Sequence, residues 1–182
     1  MNSSLEPLRQ SRDWVERFVV ELDVCPFARR ELERDSIRYV PVDATDVEHL
    51  LLILFEECRH LDASPGTETT LLVLIAGAED FEHYLDCLDL GEALLEQQGY
   101  EGVYQLASFH PDYVFDGAEA DDPANYTNRA PWPMLHLLRE ASIERALAHF
   151  PRPERIPERN VAVMRKLGIE ALTARLDDLK RS

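Results

Sequence analysis

The stretch TTLLVLIA, Thr69–Ala76, is the part of the sequence that decides the fold. Eight consecutive uncharged residues are too short a run for a typical helix, and a segment rich in Leu, Val and Ile suits a strand covered on both faces. The turn residues Ser64, Pro65 and Gly66 come shortly before it and mark where it can start. We therefore expect Thr69–Ala76 to be the central strand of a sheet.

Further elements flank this strand on both sides. Residues 37–42 alternate in the manner of a strand, and residues 47–61 carry apolar side chains at helical spacing. Downstream, residues 81–99 predict another helix and residues 102–109 another strand. The order strand, helix, strand, helix, strand predicts an α/β fold with a small, mostly parallel sheet covered by helices. The alternative is an α+β fold with a ferredoxin-like antiparallel sheet.

The two ends of the chain are predicted to be helical. Apolar residues recur at helical spacing from Trp14, so a first helix should run to about Val24 and stop before Pro26. Pro133 is expected to open a C-terminal helix. We predict one domain, residues 1–182, with a βαβαβ core at 37–109, a long polar and aromatic loop at 110–132, and C-terminal helices at 133–182.

The charge of the chain is negative and unevenly distributed. Its 182 residues include 35 acidic and 19 basic side chains, a formal charge of −16. Residues 43–126 hold 20 of the acids and a single base, Arg59, whereas the two flanking segments are close to neutral. A net-anionic surface does not attract a phosphate backbone or an anionic membrane, so neither nucleic acid nor membrane is expected as a partner. An anion site would have to draw its positive charge from outside this acidic block.

Several classes of function lack their usual sequence signatures. The chain has no P-loop, no GxGxxG fingerprint, no GxSxG elbow and no CxxC. No segment reaches the roughly 18 apolar residues of a membrane helix, and the first ten residues lack the apolar run of a signal peptide. Three widely spaced cysteines fit a reducing compartment. We therefore expect a soluble, cytoplasmic protein.

The first candidate site residues follow the third predicted strand. His110 and Asp112 stand where that strand ends and the long loop begins, and ligands of open α/β sheets bind beyond the carboxyl ends of strands. A histidine titrates near neutral pH, and Asp112 could orient His110 for acid-base work. The alternative is that His110 caps the strand end and Asp112 forms a turn.

The long loop carries groups that suit an anionic ligand. Asn125, Tyr126, Asn128 and Arg129 place two amides, a phenol and a guanidinium within five residues. Such a set can orient a polar ligand and hold a carboxylate or a phosphate. The alternative is an Asn-rich turn that leads into Pro131.

A third group of candidates falls on the predicted C-terminal helix. His136, Arg139 and Glu140 are spaced i, i+3 and i+4 and would share one helix face, which could provide a second acid-base position. His110, Asp112 and His136 could also hold a divalent metal, but no zinc signature is present, so a metal is not favoured and the cofactor stays unknown. The alternative is a solvated charged pair, Arg139 and Glu140, beside a half-buried histidine.

Cys25 stands at the end of the first predicted helix and is followed by Pro26-Phe27-Ala28-Arg29-Arg30. Two nearby arginines favour the thiolate, whereas the carboxyl end of a helix disfavours it. Cys25 is therefore a less favoured candidate for a catalytic nucleophile than the other residues are for their roles. The alternative is a small buried residue at a helix stop.

Five segments also carry a family resemblance. These are WVERFV before CPFA, TLLVLI, QLASFHPDYVF, NYTNRAPWPMLHLLREASIERA, and IPERN before LGIEAL. They resemble domain of unknown function 1415 (DUF1415) over nearly the whole chain. The resemblance implies no activity, and it marks positions rather than roles at Cys25, Pro26, Phe27, Gln105, His110, Asp112, Tyr113, Asn128, Arg129, His136, Arg139 and Glu140.

Two functional hypotheses follow. In the first, the protein is an enzyme of hydrolase or transferase type that acts on a small anionic metabolite. The catalytic candidates are then His110, Asp112, His136, Glu140 and Cys25, and the substrate-binding candidates are Gln105, Tyr113, Asn125, Tyr126, Asn128, Arg129 and Arg139. In the second, the protein is a non-catalytic binding or assembly module whose acidic block meets a basic protein partner, and the polar loop is a structural clamp. The oligomeric state is open in both.

Overall fold

The structure, a computed structural model, describes residues 5–181. The helices are α1 (Leu5–Trp14), α2 (Ala28–Glu33), α3 (Val47–Ala63), α4 (Phe81–Gln97), α5 (Glu140–Ala148), α6 (Ile156–Leu167) and α7 (Ile169–Arg181). The strands are β1 (Ile37–Asp43), β2 (Thr69–Ala76), β3 (Tyr104–Phe109) and β4 (Met134–Arg139). Short 3-10 turns occupy Pro123–Thr127 and Pro153–Arg155. The five elements predicted between residues 37 and 109 are present in the predicted order.

The four strands form one mixed sheet in the order β1-β2-β4-β3. β1 runs parallel to β2, whereas β4 runs antiparallel to both β2 and β3. A mixed α/β architecture is confirmed, and the α+β alternative is compatible with it. The prediction of a mostly parallel sheet is wrong, because two of the three pairings are antiparallel. The cause is β4, which enters between β2 and β3 and keeps these two similarly directed strands apart.

β4 occupies the place where the C-terminal helix was expected. The prediction of a helix from Pro133 is wrong, because Met134–Arg139 is a strand and α5 starts only at Glu140. The C-terminal segment 133–182 is therefore not purely helical. Apolar residues at 134, 135, 137 and 138 fit either period over so short a run. The slot between two strands decides the outcome, because it offers backbone hydrogen-bond partners on both edges of β4.

Each face of the sheet has its own core. On one face, strand residues such as Leu72 and Leu135 pack with Leu54 of α3 and Tyr84 of α4. On the other face, the core includes Trp14 of α1 together with residues of α6 and α7. Successive side chains of a strand point to opposite faces, so neighbouring residues of β4 belong to different cores.

α3 and α4 meet at a glycine. A Cβ atom added to Gly91 would lie 3.2 Å from Leu54 Cδ2 and 3.0 Å from Leu106 Cδ1. The missing side chain therefore lets α4 approach both α3 and β3 closely. The sides of α3 and α4 that point away from the sheet face solvent.

The N-terminal helix differs from its prediction at both ends. α1 begins at Leu5, and Val15–Val20 continues it in π-helical form, so the helix ends four residues before Val24. The short helix α2 was not predicted, because none of its six residues is fully buried and only Ala28 and Leu32 pack against the core. Along residues 5–181, no helix is long and apolar enough to cross a membrane.

Candidate functional site

His110 follows β3 and is fully buried. Its Nδ1 accepts a hydrogen bond from the backbone N–H of Asp112 at 3.0 Å, so the ring proton is on Nε2, which donates to the carbonyl oxygen of Ala78 at 3.0 Å. Burial lowers the pKa of His110 below its ordinary value and favours this neutral form. Both ring nitrogens are therefore engaged by the backbone. The side chain of Asp112 is exposed, and its backbone rather than its carboxylate bonds the ring.

Asn125 is also fully buried, in the 3-10 turn of the long loop. Its Oδ1 accepts a hydrogen bond from the N–H of Phe115 at 3.1 Å. Its Nδ2 donates to the carbonyl oxygens of Glu119 at 2.9 Å and Ala120 at 3.4 Å. The amide therefore uses both of its ends to hold the loop's own backbone.

Asn128 and Arg129 extend this pattern. Asn128 Nδ2 donates to the carbonyl oxygen of Ser108 at 3.0 Å, and the carbonyl oxygen of Asn128 accepts from the N–H of His110 at 3.2 Å. Arg129 donates through Nε to the carbonyl oxygen of Tyr113 at 3.0 Å and through Nη2 to that of Ala120 at 2.9 Å. We use the name polar clamp for the side chains that hydrogen-bond backbone groups of the loop and of the segments beside it: His110, Asn125, Asn128 and Arg129.

The tyrosines predicted to bind substrate contact other parts of the fold. Tyr126 Oη lies 2.6 Å from Thr173 Oγ1 of α7, and the guanidinium of Arg129 stacks 4.8 Å from its ring centre. The ring of Tyr113 packs against Phe81, with ring centres 5.4 Å apart. Gln105 is exposed on β3. Tyr126 therefore joins the loop to the C-terminal helix, while Tyr113 packs it against α4.

His136 and Arg139 do not share a face. The prediction that they lie with Glu140 on one side of a helix is wrong, because both belong to β4 and odd spacing in a strand sends them to opposite faces. Thr69 Oγ1 donates to the carbonyl oxygen of Leu137 at 2.6 Å, so His136 Nε2 is the donor in its 2.8 Å contact with Thr69 Oγ1. Burial lowers the pKa of His136 to about 4. Glu140 is the first residue of α5.

Arg139 ties β4 to the end of α3. Its Nη2 donates to the carbonyl oxygens of Leu61 at 2.6 Å and Thr67 at 3.1 Å. Its Nη1 donates to the Tyr104 hydroxyl at 3.3 Å. Leu61 is one of the last residues of α3, where carbonyl groups lack helical partners, so the guanidinium acts as a C-terminal cap.

The metal set considered from the sequence is not assembled. Within residues 5–181, no three His, Cys, Asp or Glu side chains lie close enough to hold a metal ion. The ring of His110 packs on Phe81 and Tyr84 of α4, whereas the ring of His136 packs near Phe109 on the opposite face of the sheet. His110, Asp112 and His136 therefore cannot share one ion.

Cys25 lies in the turn before α2 and is half-buried. Burial raises the pKa of its thiol and outweighs the backbone N–H groups of Phe27 and Ala28 that hydrogen-bond it, and the negative charge of Asp23 raises this pKa further. The arginines that were expected to favour the thiolate point elsewhere: Arg29 bonds the carbonyl oxygen of Val20, and Arg30 lies against Glu31. The environment therefore favours the neutral thiol.

Two features were missed from the sequence. Tyr84 Oη donates to the carbonyl oxygen of Met134 at 2.7 Å and accepts from the N–H of Phe109 at 3.0 Å, so it links α4 to two strands. Leu52 and Leu90, on the outer sides of α3 and α4, are 54% and 46% exposed. Their position among acids at helical spacing was the available signal, since core residues do not stand on a charged face.

Two cavities among the described residues lie away from the polar clamp. One of about 620 Å³ opens between α1 and the start of β1, and one of about 340 Å³ lies beside Glu16, Val20 and Arg29. None of the predicted catalytic or substrate-binding residues lines either of these two cavities.

Comparison with known proteins identifies the family. The family model described as "Protein of unknown function (DUF1415)" matches residues 6–174. The chain belongs to DUF1415. The resemblance drawn from its sequence motifs is thereby confirmed. No curated protein and no solved structure matches the chain. Membership in DUF1415 brings no activity with it, so the roles of the site residues rest on their contacts alone.

Proposed function

We propose that the protein is a non-catalytic binding or assembly module that meets a basic protein partner through the outer side of α3 and α4. We call this surface the acidic helix face: Glu48, Leu52, Glu56, Asp62, Glu82, Asp86, Asp89, Leu90, Glu92 and Glu96. One observation carries the proposal. The eight carboxylates of the acidic helix face are exposed, and within residues 5–181 none of them forms an ion pair.

The chain neutralises this face only in part, through the exposed Arg59 that follows Glu56 by three residues on α3. α3 contains one base, Arg59, and α4 contains none. Apart from Arg38 and Arg165, the ion-paired bases of the two terminal segments bind acids of those same segments, as Arg17 does with Asp178 at 2.5 Å. Of the acids in the block 43–126, only Glu57 and Asp122 form ion pairs in the described part of the chain. Uncompensated like charges repel one another, and a cationic partner would relieve that repulsion.

Two exposed leucines give the acidic helix face an apolar centre. Leu52 lies between Glu48 and Glu56 at spacings of four residues, and Leu90 follows Asp86 at the same spacing. Because Leu54 meets Gly91 where the two helices approach, Leu52 and Leu90 stand at nearly the same level along α3 and α4. Apolar anchors inside a polar rim are the usual anatomy of a protein interface.

The proposal favours binding over catalysis because of what the polar clamp contacts. The two ring nitrogens of His110 and the amide of Asn125 engage backbone groups, which are the atoms that acid-base chemistry or substrate orientation would need free. A cytoplasmic location belongs to the same proposal. Its support is that Cys25, Cys58 and Cys87 are unpaired, which suits a reducing compartment.

The test uses a synthetic peptide of about 20 residues with Leu and Lys at amphipathic helix spacing. Its affinity is measured by calorimetry, and its footprint by amide chemical-shift changes in a titration. We expect saturable binding whose shifts map to α3 and α4, weakened as salt screens the charges. Leu52→Gln with Leu90→Gln should weaken binding about tenfold or more, because two leucines lose their burial while the charge is unchanged.

Leu5→Gln is the matched control, since Leu5 is a 63% exposed leucine on α1, outside the acidic helix face. It should bind the peptide like the wild type. If the double leucine variant binds as tightly as this control, or if the shifts map to other helices, the acidic helix face is not a specific docking surface and the proposal fails.

A further inference from the structure

The larger cavity is a cleft between α1 and the beginning of β1. Its volume of about 620 Å³ falls in the range of sites for small molecules, roughly 300–1,000 Å³. β1 is an edge strand, so no further strand closes this side of the sheet. The cleft lies on the α1 side of the molecule and is separate from the acidic helix face.

Three arginines line the cleft in a protein whose net charge is −16. Arg9 and Arg12 come from α1, and Arg38 comes from β1. Arg38 is held by Glu57 through two hydrogen bonds, at 2.8 and 3.2 Å. Arg9 and Arg12 each give one nitrogen to a single carboxylate and are about half exposed. Since a guanidinium has five N–H donors, both keep several for another acceptor.

Tyr39 lines the same cleft, and its hydroxyl lacks a partner. Within the described residues, it is buried and forms no hydrogen bond. Leaving a buried hydroxyl without a hydrogen bond destabilises a protein by about 1–3 kcal/mol, so an acceptor atom bonded to the Tyr39 hydroxyl would be stabilising. Burial raises the pKa of Tyr39 well above its ordinary value, and Arg12 and Asp35 act on it electrostatically. The hydroxyl therefore keeps its proton and stands near the charged wall of the cleft.

We propose that this cleft binds a small organic anion, with Arg9 and Arg12 holding its carboxylate or phosphate group and the Tyr39 hydroxyl, once binding uncovers it, donating a hydrogen bond to an oxygen. Charge-assisted bonds from guanidinium groups suit either kind of anionic group. Asp35 lines the cleft as well and already occupies Arg12. When the ligand binds, Arg12 gives up part of its contact with the exposed carboxylate of Asp35 and contacts the ligand instead.

The test measures amide chemical shifts and binding heats with three probes: inorganic phosphate, succinate, and succinamide as the uncharged counterpart of succinate. We expect saturation below about 10 mM with phosphate, succinate or both, shifts that map to α1 and β1, and none with succinamide. Binding of only one anion would identify the anionic group that the cleft accepts. Failure of both to saturate, or equal binding of succinamide, overturns the proposal.

Two variants separate ligand binding from structure. Arg12→Gln should weaken anion binding about tenfold, whereas Arg17→Gln, a similarly exposed and ion-paired arginine outside the cleft, should leave it unchanged. Tyr39→Phe should weaken binding several-fold while the melting temperature stays level or rises, because the unpaired hydroxyl is removed. Equal losses in the two arginine variants, or unchanged affinity in Tyr39→Phe, would contradict the assignment.

Discussion

The imidazole Nε2 of His110 donates a hydrogen bond to the carbonyl oxygen of Ala78, 3.0 Å away and 32 residues earlier in the chain. Ala78 lies in the connection between β2 and α4, and His110 begins the long loop after β3. This bond therefore joins the connections that follow β2 and β3, at the end of the sheet where both strands terminate. It is the clearest case of a residue that the sequence offered as an acid-base catalyst and that the structure places as a link between segments.

His110→Ala should lower the free energy of unfolding by about 2–4 kcal/mol, because it removes two buried hydrogen bonds and leaves a cavity. Urea denaturation measures this change. His49→Ala, at an exposed position in the first turn of α3, is the control and should stay within about 0.5 kcal/mol of the wild type. Equal effects of the two substitutions would contradict the claim that the hydrogen bonds of His110 stabilise the fold.

His136 should make stability depend on pH. Its pKa is about 4 in the folded protein and 6.5 without the burial, so the unfolded chain binds the proton more readily. The stabilising contribution is complete above pH 6.5 and is lost as the pH falls toward 4, up to about 3 kcal/mol. Unfolding free energies of the wild type and of His136→Gln, measured across this window, should converge at low pH. Parallel curves would contradict the assignment.

Arg139→Gln should destabilise the protein by about 2–3 kcal/mol, because the carbonyl oxygens of Leu61 and Thr67 lose a charged donor. Arg145→Gln, on the exposed side of α5, provides the comparison and should change little. Thermal unfolding is a sufficient measurement. A wild-type melting temperature for Arg139→Gln would show that this cap is dispensable.

Asn125→Asp should loosen the long loop. The substitution keeps the shape but places a carboxylate oxygen against the carbonyl oxygens of Glu119 and Ala120, a loss of about 2 kcal/mol or more. Hydrogen exchange of residues 110–122 should become faster. Gln105→Glu makes the same chemical change at an exposed position of β3 and should leave this exchange unaltered.

The sequence predicted what periodicity and length decide locally. Thr69–Ala76 is apolar on both faces, and α3 and α4 each have an apolar stripe, so these elements were found near their true bounds. Met134–Arg139 was not, because its pattern fits both periods and the choice depends on two strands that are distant in sequence. Helix α2 was missed because it has no fully buried residue to create a pattern.

For the candidate site, residue types were informative but their partners were not. Arg139 hydrogen-bonds Leu61, which lies 78 residues earlier in the chain, and no sequence pattern near either residue predicts that contact. Polar groups that suit a ligand suit a buried backbone equally well, because both present the same donors and acceptors. Leu52 and Leu90 stand outside the apolar stripes of α3 and α4, and no partner was predicted for them from the sequence.

The central claim is that the polar clamp holds the fold while binding takes place on the acidic helix face. Arg129→Gln tests it most directly, through the affinity of the amphipathic Lys/Leu peptide at a temperature where the variant is folded. The account predicts a lower melting temperature and an affinity within about twofold of the wild type, since Arg129 bonds only loop backbone and Tyr126. A tenfold loss of affinity with an unchanged melting temperature would contradict it.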